Sequence, residues 1–222
     1  MTRYDTRFWT LAAAMAGLAG YVDAIGFLKL GGLFVSFMSG NSTRLAVGIA
    51  GGTPVAAIAA GLVAAFVGGV FAGTLAAAAA GAWRKPVVLA ITTGLLALAA
   101  LVDGLAADRW TTACLAAAMG VANTVFQRDG EVSIGVTYMT GALVKCAQRL
   151  AAAVLGGARW AWLPYLMLWS GLVGGAILGA SLYPRLGGAW GIGMAAAAAA
   201  LLTGWAVRLG PVAVPPPPRD RE

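Results

Sequence analysis

Long stretches without any charged side chain constrain the fold of this chain more than any other feature. They cover residues 55–82, 86–102, 110–127 and 186–207. Each approaches or exceeds the about 20 apolar residues that a helix needs to cross the hydrocarbon core of a bilayer. Backbone groups find no hydrogen-bond partners in lipid, and these runs lack the alternation of barrel strands. They therefore predict transmembrane α-helices.

Composition agrees, because 60% of the residues are hydrophobic and only 10% are charged, whereas soluble domains carry roughly a quarter charged residues. We predict an all-α integral membrane protein with one transmembrane domain (1–210) and a disordered cytoplasmic tail (211–222). The six predicted spans lie at about 8–28, 54–82, 86–105, 110–127, 160–183 and 186–207.

Residues 33–52 and 133–157 fit this scheme less simply. Each begins with polar and aromatic residues, becomes helical and ends at a Gly-Gly pair. The helical stretch from Ser39 to Ala50 would be only about 18 Å long, at 1.5 Å per residue. Both segments are therefore either re-entrant half-helices or true crossings.

The distribution of basic residues favours half-helices. Without these segments, a cytoplasmic N-terminus leaves nine basic residues inside, against three outside at Lys29, Arg109 and Arg185. If both segments cross, the count becomes seven against five. Cytoplasmic loops are enriched in Lys and Arg, so we predict six spans in a bacterial inner membrane with both termini cytoplasmic. The nine inside residues are Arg3, Arg7, Arg84, Lys85, Arg128, Arg159, Arg208, Arg219 and Arg221.

The two unusual segments also resemble each other. Residues 35–44 read VSFMSGNSTR and residues 136–145 read VTYMTGALVK, which share a hydroxyl, an aromatic ring, Met, a hydroxyl, Gly and a final base. Upstream, GYVD at 20–23 matches GVAN at 120–123. With three crossings in each half, the second half would lie inverted in the membrane. We predict inverted repeats at about 8–105 and 110–208, an arrangement typical of secondary transporters.

These motifs also indicate a family. Residues 20–24, 38–41 and 137–141 resemble the signature of the bacterial YoaK-type membrane proteins, a domain of unknown function, over about residues 11–208. Ser39 stands where that signature has Thr. The resemblance implies a six-helix inner-membrane protein and brings no activity.

The starts of the two half-helices are the candidate binding site. Ser39 and Thr140 are predicted helix N-caps, and glycines beside them allow close approach to the backbone. Free N–H groups and the positive end of the helix dipole attract anions and polar groups. The alternative is that these residues only cap and pack the helices. The predicted substrate-binding residues are Ser39, Gly40, Asn41, Thr137, Tyr138, Thr140 and Gly141.

Asp23 is a charge inside the first span, where it costs roughly 2.5–3.5 kcal/mol unless it has a partner or water. We predict an ion pair with Arg44. Asn123 and Lys145 hold the matching positions of the second half. Asp23 would either be a proton or cation site in coupled transport or form a structural pair with Arg44 that locks two helices together.

The glycines at 17, 171, 175 and 179 are predicted to pack helices, because small residues at this spacing allow close approach. Histidine is absent, which removes the commonest metal ligand and acid–base catalyst. We expect no enzymatic activity, cofactor, metal or nucleic-acid partner.

The favoured hypothesis is a small secondary transporter or permease for a small polar solute, of which an anion or zwitterion fits best. A channel-like pore and a non-transporting membrane scaffold are the alternatives. Partners would be the lipid bilayer and the solute, and a homodimer is an open prediction.

Overall fold

A computed structural model describes residues 6–211 except 104, 106, 107, 129, 130 and 133, with only the backbone of residues 6, 7, 128, 131 and 132. The predicted tail therefore lies outside the described residues from position 212 onward. The described chain contains the helices α1 (Thr6–Lys29), α2 (Met38–Ala50), α3 (Val55–Ala80), α4 (Arg84–Val102), α5 (Asp108–Ala122), α6 (Met139–Val154), α7 (Leu163–Leu186) and α8 (Gly188–Leu209). A 3₁₀ turn (Gly81–Trp83) joins α3 to α4, and an antiparallel hairpin of β1 (Gln127–Arg128) and β2 (Glu131–Val132) follows α5.

Each of the six predicted spans overlaps one helix of the structure. Among the described residues, four helical stretches are long and apolar enough to cross a membrane: Phe8–Lys29, Val55–Val102, Leu163–Leu186 and Gly188–Leu209. The second of these contains both α3 and α4. The prediction for 110–127 was too long, because α5 has 15 residues. Asn123 and Thr124 turn the chain through short backbone bonds to Gly120 and Val121, so the helix ends at Ala122.

Close helix pairs organise the bundle. α1 packs along α7, and α5 packs along α3. A Cβ atom on Gly175 would clash with the carbonyl of Gly17, and one on Gly69 would clash with the carbonyl of Ala117. Only glycine allows this approach, so the predicted packing role of the α1 and α7 glycines is confirmed. The buried core lies between α1, α4, α5 and α8, with Leu11, Met15, Leu89, Leu96, Leu115, Met119 and Ile192 at most 2% exposed.

Contacts at the helix ends give the direction of each helix. At the near end of the bundle, where α1 begins, Lys85 of α4 has its Nζ 3.3 Å from the ring centre of Phe8. At the far end, where α1 finishes, Lys29 Nζ lies 2.8 Å from Asp103 Oδ1 and 2.7 Å from Asp108 Oδ1. Thus α1 and α4 run from the near end to the far end, and α5 runs back.

The remaining directions follow from these. At the near end the ring centres of Trp9 and Tyr165 are 5.6 Å apart, so α7 begins beside α1. Gly188, the first residue of α8, lies against Asp103 at the far end. α3 runs parallel to α5, because Thr74 near its end bonds Gln127, which follows α5. Consequently, the segment around α2 leaves and rejoins the far end, and the segment around α6 leaves and rejoins the near end.

Candidate functional site

A cavity of about 340 Å³ lies where the N-termini of α2 and α6 meet. Two chain segments and one side chain from the middle of α3 form its wall. They are residues 36–39, residues 137–141 and Phe66. Of the predicted binding residues, the cavity brings together Ser39, Thr137, Tyr138, Thr140 and Gly141.

Both half-helices are capped two residues earlier than predicted. The cap positions are Phe37 and Tyr138, and neither makes a side-chain cap hydrogen bond. The prediction of Ser39 and Thr140 as N-caps was therefore wrong. The chain turns tightly just before each helix, with Met38 N donating to Ser36 O and Met139 N donating to Thr137 O. The two hydroxyls consequently lie in the first turn, where helix N–H groups lack intrahelical acceptors.

Asp23 holds the segment that leads into α2. Its Oδ1 accepts hydrogen bonds from the backbone N–H groups of Val35 and Ser36, both at 2.8 Å, and its Oδ2 accepts from Ser36 Oγ at 2.7 Å. Val35 and Ser36 are at most 4% exposed, so these donors have little access to water. The carboxylate thus fixes the entry to α2.

The predicted Asp23–Arg44 ion pair does not occur among the described side chains. Arg44 is exposed, and its guanidinium lies beside Gly32. The physical reason is that residues 33–36 return along α1 and bring two N–H groups and a hydroxyl to the carboxylate. Arg44 is six residues into α2, which leads away from the cavity toward the far end.

The second half repeats the Asp23 contact in a weaker form. Thr137 Oγ1 donates to Asn123 Oδ1 at 3.1 Å, and Asn123 Nδ2 donates back to Met119 O at 2.9 Å. Thr137 and Asn123 are the sequence counterparts of Ser36 and Asp23. The matched positions of the two halves therefore make matched contacts, with a neutral amide in place of the carboxylate.

Asn41 and Gly40 do not line the cavity, contrary to the prediction. Asn41 is fully buried, and its amide clamps the backbone of Phe34: Oδ1 accepts from Phe34 N at 3.0 Å and Nδ2 donates to Phe34 O. A Cβ on Gly40 would strike the ring of Phe37, so glycine makes room for that ring. Ala142 occupies the position that matches Asn41, and an alanine cannot form such a clamp.

Lys145 lines a second cavity of about 100 Å³ together with Trp9 and Tyr165. This cavity shares Tyr138 and Gly141 with the larger one, so the two lie side by side. Because α6 runs from the larger cavity toward the near end and α2 toward the far end, Lys145 and Arg44 lie on opposite sides of it. No cluster of metal-binding side chains occurs within the described ranges.

Sequence reasoning missed several cavity residues. Phe37, Met38 and Met139 belong to the repeated motif, and their recurrence at matched positions was a usable signal. Phe66 had no such signal, because it reaches the cavity only through the packing of α3 on α5. Its carbonyl lies against Gly120.

Comparison with known proteins places this architecture in a family. The family model described as "Protein of unknown function (DUF1275)" matches residues 11–205. The chain belongs to the DUF1275 family. A UPF0700 transmembrane protein from Rhizobium meliloti (strain 1021) is 35% identical over 190 residues, which is 80% of this chain and 76% of that relative. No solved structure matches.

Family membership confirms the resemblance predicted from the motifs. A transmembrane relative and several long apolar helices identify this DUF1275 chain as a multi-pass membrane protein in contact with the lipid bilayer. Neither of the two descriptions carries a substrate or an activity.

Proposed function

We propose that the protein is a small secondary transporter or permease for a small polar solute, and that the 340 Å³ cavity binds the solute. The observation that carries this proposal is the meeting of two helix N-termini at one cavity. Each terminus presents N–H groups without intrahelical partners and the positive end of a helix dipole. An anion or the carboxylate of a zwitterion fits this environment best. A scaffold would need no such cavity.

An inverted repeat supports transport by alternating access. The α1–α7 pair matches the α5–α3 pair, and Gly175 against Gly17 matches Gly69 against Ala117. The segments around α2 and α6 enter from opposite ends of the bundle, as re-entrant half-helices of two inverted units would. In this arrangement each half has three crossings, and the polar site lies near the bilayer midplane between them.

The charges support an inner-membrane protein whose near end is cytoplasmic. Arg84, Arg159 and Arg208 lie at or next to helix termini of the near end, whereas Arg109 and Arg185 lie at the far end. Because α8 finishes at the end where α1 begins, both termini would be cytoplasmic. Fusion of a reporter enzyme or a fluorescent protein to each terminus tests this orientation.

The geometry favours Asp23 as a positioning residue over Asp23 as a coupling site. All three of its hydrogen bonds go to the segment that leads into α2. Asn can replace the carboxylate in this role, because its carbonyl oxygen accepts the same backbone donors. Retained gradient-driven uptake in Asp23→Asn would support positioning, whereas loss of uptake with a stable fold would support coupling.

Uptake into proteoliposomes from a panel of labelled anions, zwitterions and neutral solutes tests the proposed function. Ser39→Ala combined with Thr140→Ala should weaken uptake, because both residues line the cavity and each loses a polar group. Thr43→Ala is the matched control, since its exposed hydroxyl bonds Ser39 O on the same helix, outside the cavity. Uptake that is equal in the double variant and the control would contradict the assigned site.

A channel is the second candidate, because two neighbouring cavities extend from the half-helix ends toward the near end. Planar-bilayer recording separates the two functions. Saturable flux coupled to a gradient supports a carrier, and unitary conductance steps support a channel. In either case the solute crosses chemically unchanged, so the proposal is not enzymatic.

We also propose a homodimer. Among the helices, α2 packs on α3 and α6 packs on α7, and their other sides expose Arg44, Lys145 and Arg149. Charges this deep in lipid are costly, so a second copy or a water-filled cavity between copies would cover them. Light scattering of the purified protein in detergent, corrected for bound detergent, measures the number of copies. A monomer that still transports would refute this part.

A further inference from the structure

We infer that the solute is a small organic anion with a flat apolar body, such as an aromatic carboxylate, and that Lys145 recognises its charge. This inference rests on the proposed transport function and deepens it. It is carried by the chemistry of the cavity wall and of the smaller cavity beside it.

The wall is mainly apolar and is built from matched pairs. Phe37 and Met38 from one half line the same cavity as Tyr138 and Met139 from the other, with Phe66 between them. Aromatic rings and thioethers bind flat, polarisable groups well. No acidic or basic side chain is among the residues that line this cavity. Its wall therefore suits the apolar body of a solute as well as its charge.

The volume points the same way. A water molecule occupies roughly 30 Å³ of liquid, so a 340 Å³ cavity corresponds to about ten waters. A halide or a sulfate would leave most of this space to water between aromatic walls. Ligand sites of about 300 Å³ and above hold organic molecules.

One aromatic wall is fixed before any solute arrives. The rings of Phe37 and Phe34 meet edge to face with centres 5.2 Å apart, and Asn41 clamps the backbone of Phe34. Phe37 remains 42% exposed and Tyr138 54% exposed, which leaves ring surface for a ligand. A preorganised ring loses little conformational freedom when the solute binds.

In the smaller cavity, Lys145 adds a positive charge beside the helix N-termini. Lys145 lines this cavity with Trp9 and Tyr165, and Tyr138 and Gly141 join it to the larger one. A carboxylate near Lys145 would thus leave its apolar body against Tyr138. Arg44 offers no equivalent, because it lines neither of these two cavities. The hydroxyls of Ser39 and Thr140 complete the polar part of the larger site.

Binding to the purified full-length protein, measured by isothermal titration calorimetry, tests the inference. The probes are benzoate, acetate, sulfate and benzyl alcohol, which separate the flat body from the charge. We expect benzoate to bind at least tenfold more tightly than each of the others. Lys145→Gln should weaken benzoate binding about tenfold, the effect of one charge pair at a protein–water boundary.

Arg149→Gln is the matched control for charge, since Arg149 is exposed one turn further along the same helix and lines neither cavity. Tyr138→Ala should also weaken benzoate binding, because it removes an aromatic ring that lines both cavities. Thermal unfolding of every variant identifies any that fail to fold.

The outcomes separate this inference from the proposed function. If acetate or sulfate binds as tightly as benzoate and Ser39→Ala with Thr140→Ala weakens both, the anion site stands and the flat body is refuted. If Lys145→Gln and Arg149→Gln weaken binding equally, Lys145 has no specific role. If none of the probes responds to changes in either cavity, both the inference and the proposed site are refuted.

Discussion

Replacement of Asp23 by Leu and by Asn tests the anchoring of α2 most directly. Both changes remove the carboxylate charge from the bundle, so the cost of holding that charge in the membrane cancels between them. Asn keeps one oxygen that can accept from the N–H groups of Val35 and Ser36, and Ser36 Oγ can accept from its amide. Leu has a similar size and accepts nothing.

The difference can be estimated from the contacts. Leu leaves two buried backbone donors without an acceptor, and each such donor costs about 1–3 kcal/mol. Because the two share one site, we take about 3 kcal/mol for the pair. For a chain of 222 residues, 1 kcal/mol shifts the unfolding temperature by roughly 2–4 °C. Asp23→Leu should therefore unfold about 6–12 °C below Asp23→Asn.

The second half supplies an internal control. Asn123→Leu removes the acceptor of one side-chain hydroxyl, on Thr137, so it should cost only about 1 kcal/mol relative to the unchanged protein. Thermal unfolding in detergent, followed through the fluorescence of the eight tryptophans, measures both effects. Equal unfolding temperatures for Asp23→Leu and Asp23→Asn would refute the anchoring role.

Two further predictions concern helix packing and the far end. Gly175→Ala should destabilise the α1–α7 pair by several kcal/mol or force the helices apart, because its Cβ would meet the carbonyl of Gly17. Gly174→Ala is the control and should not change the stability, because nothing lies within 4 Å of a Cβ atom at that position. Unfolding temperatures compare the two, and equal values would contradict the close approach. Lys29→Met should cost about 3 kcal/mol, because Asp103, 7% exposed, keeps a charge without its partner. Asp108→Asn should change the stability by at most about 0.5 kcal/mol, because the Asp108 side chain is 64% exposed. Unfolding temperatures check both variants. A larger loss of stability in Asp108→Asn than in Lys29→Met would refute the burial argument.

Most of the fold was predictable because lipid solvation imposes a simple rule. Uncharged runs of sufficient length become helices, and all six predicted spans have helical counterparts. The end of α5 was misplaced because Asn123 and Thr124 end the helix by hydrogen bonding, and hydrophobicity does not report this. The same local bonding placed the starts of α2 and α6 one residue before Ser39 and Thr140.

The candidate site was predictable only in part. The repeated motif identified the two segments that meet at the cavity, because matched positions of the two halves carry the same residue types and pack in the same way. The partner of Asp23 was not predictable. Charge complementarity suggested Arg44, whereas the backbone returns close to the carboxylate and supplies nearer donors. Burial of Asn41 against Phe34 likewise depends on a turn that no spacing in the sequence reveals.

The clamp by Asn41 has a consequence for motion. In the first half, the N–H groups of Phe34, Val35 and Ser36 all donate to side chains of Asn41 or Asp23. In the described part of the second half, the counterpart segment is tied by the single hydroxyl bond of Thr137. The entry to α2 is therefore held by more side-chain hydrogen bonds than the entry to α6, so we expect it to be the more rigid of the two. We expect amide deuterium exchange to be faster at 134–138 than at 33–37, and Asn41→Ala to bring the two rates together. Equal exchange rates at the two segments in the unchanged protein would refute this difference in rigidity.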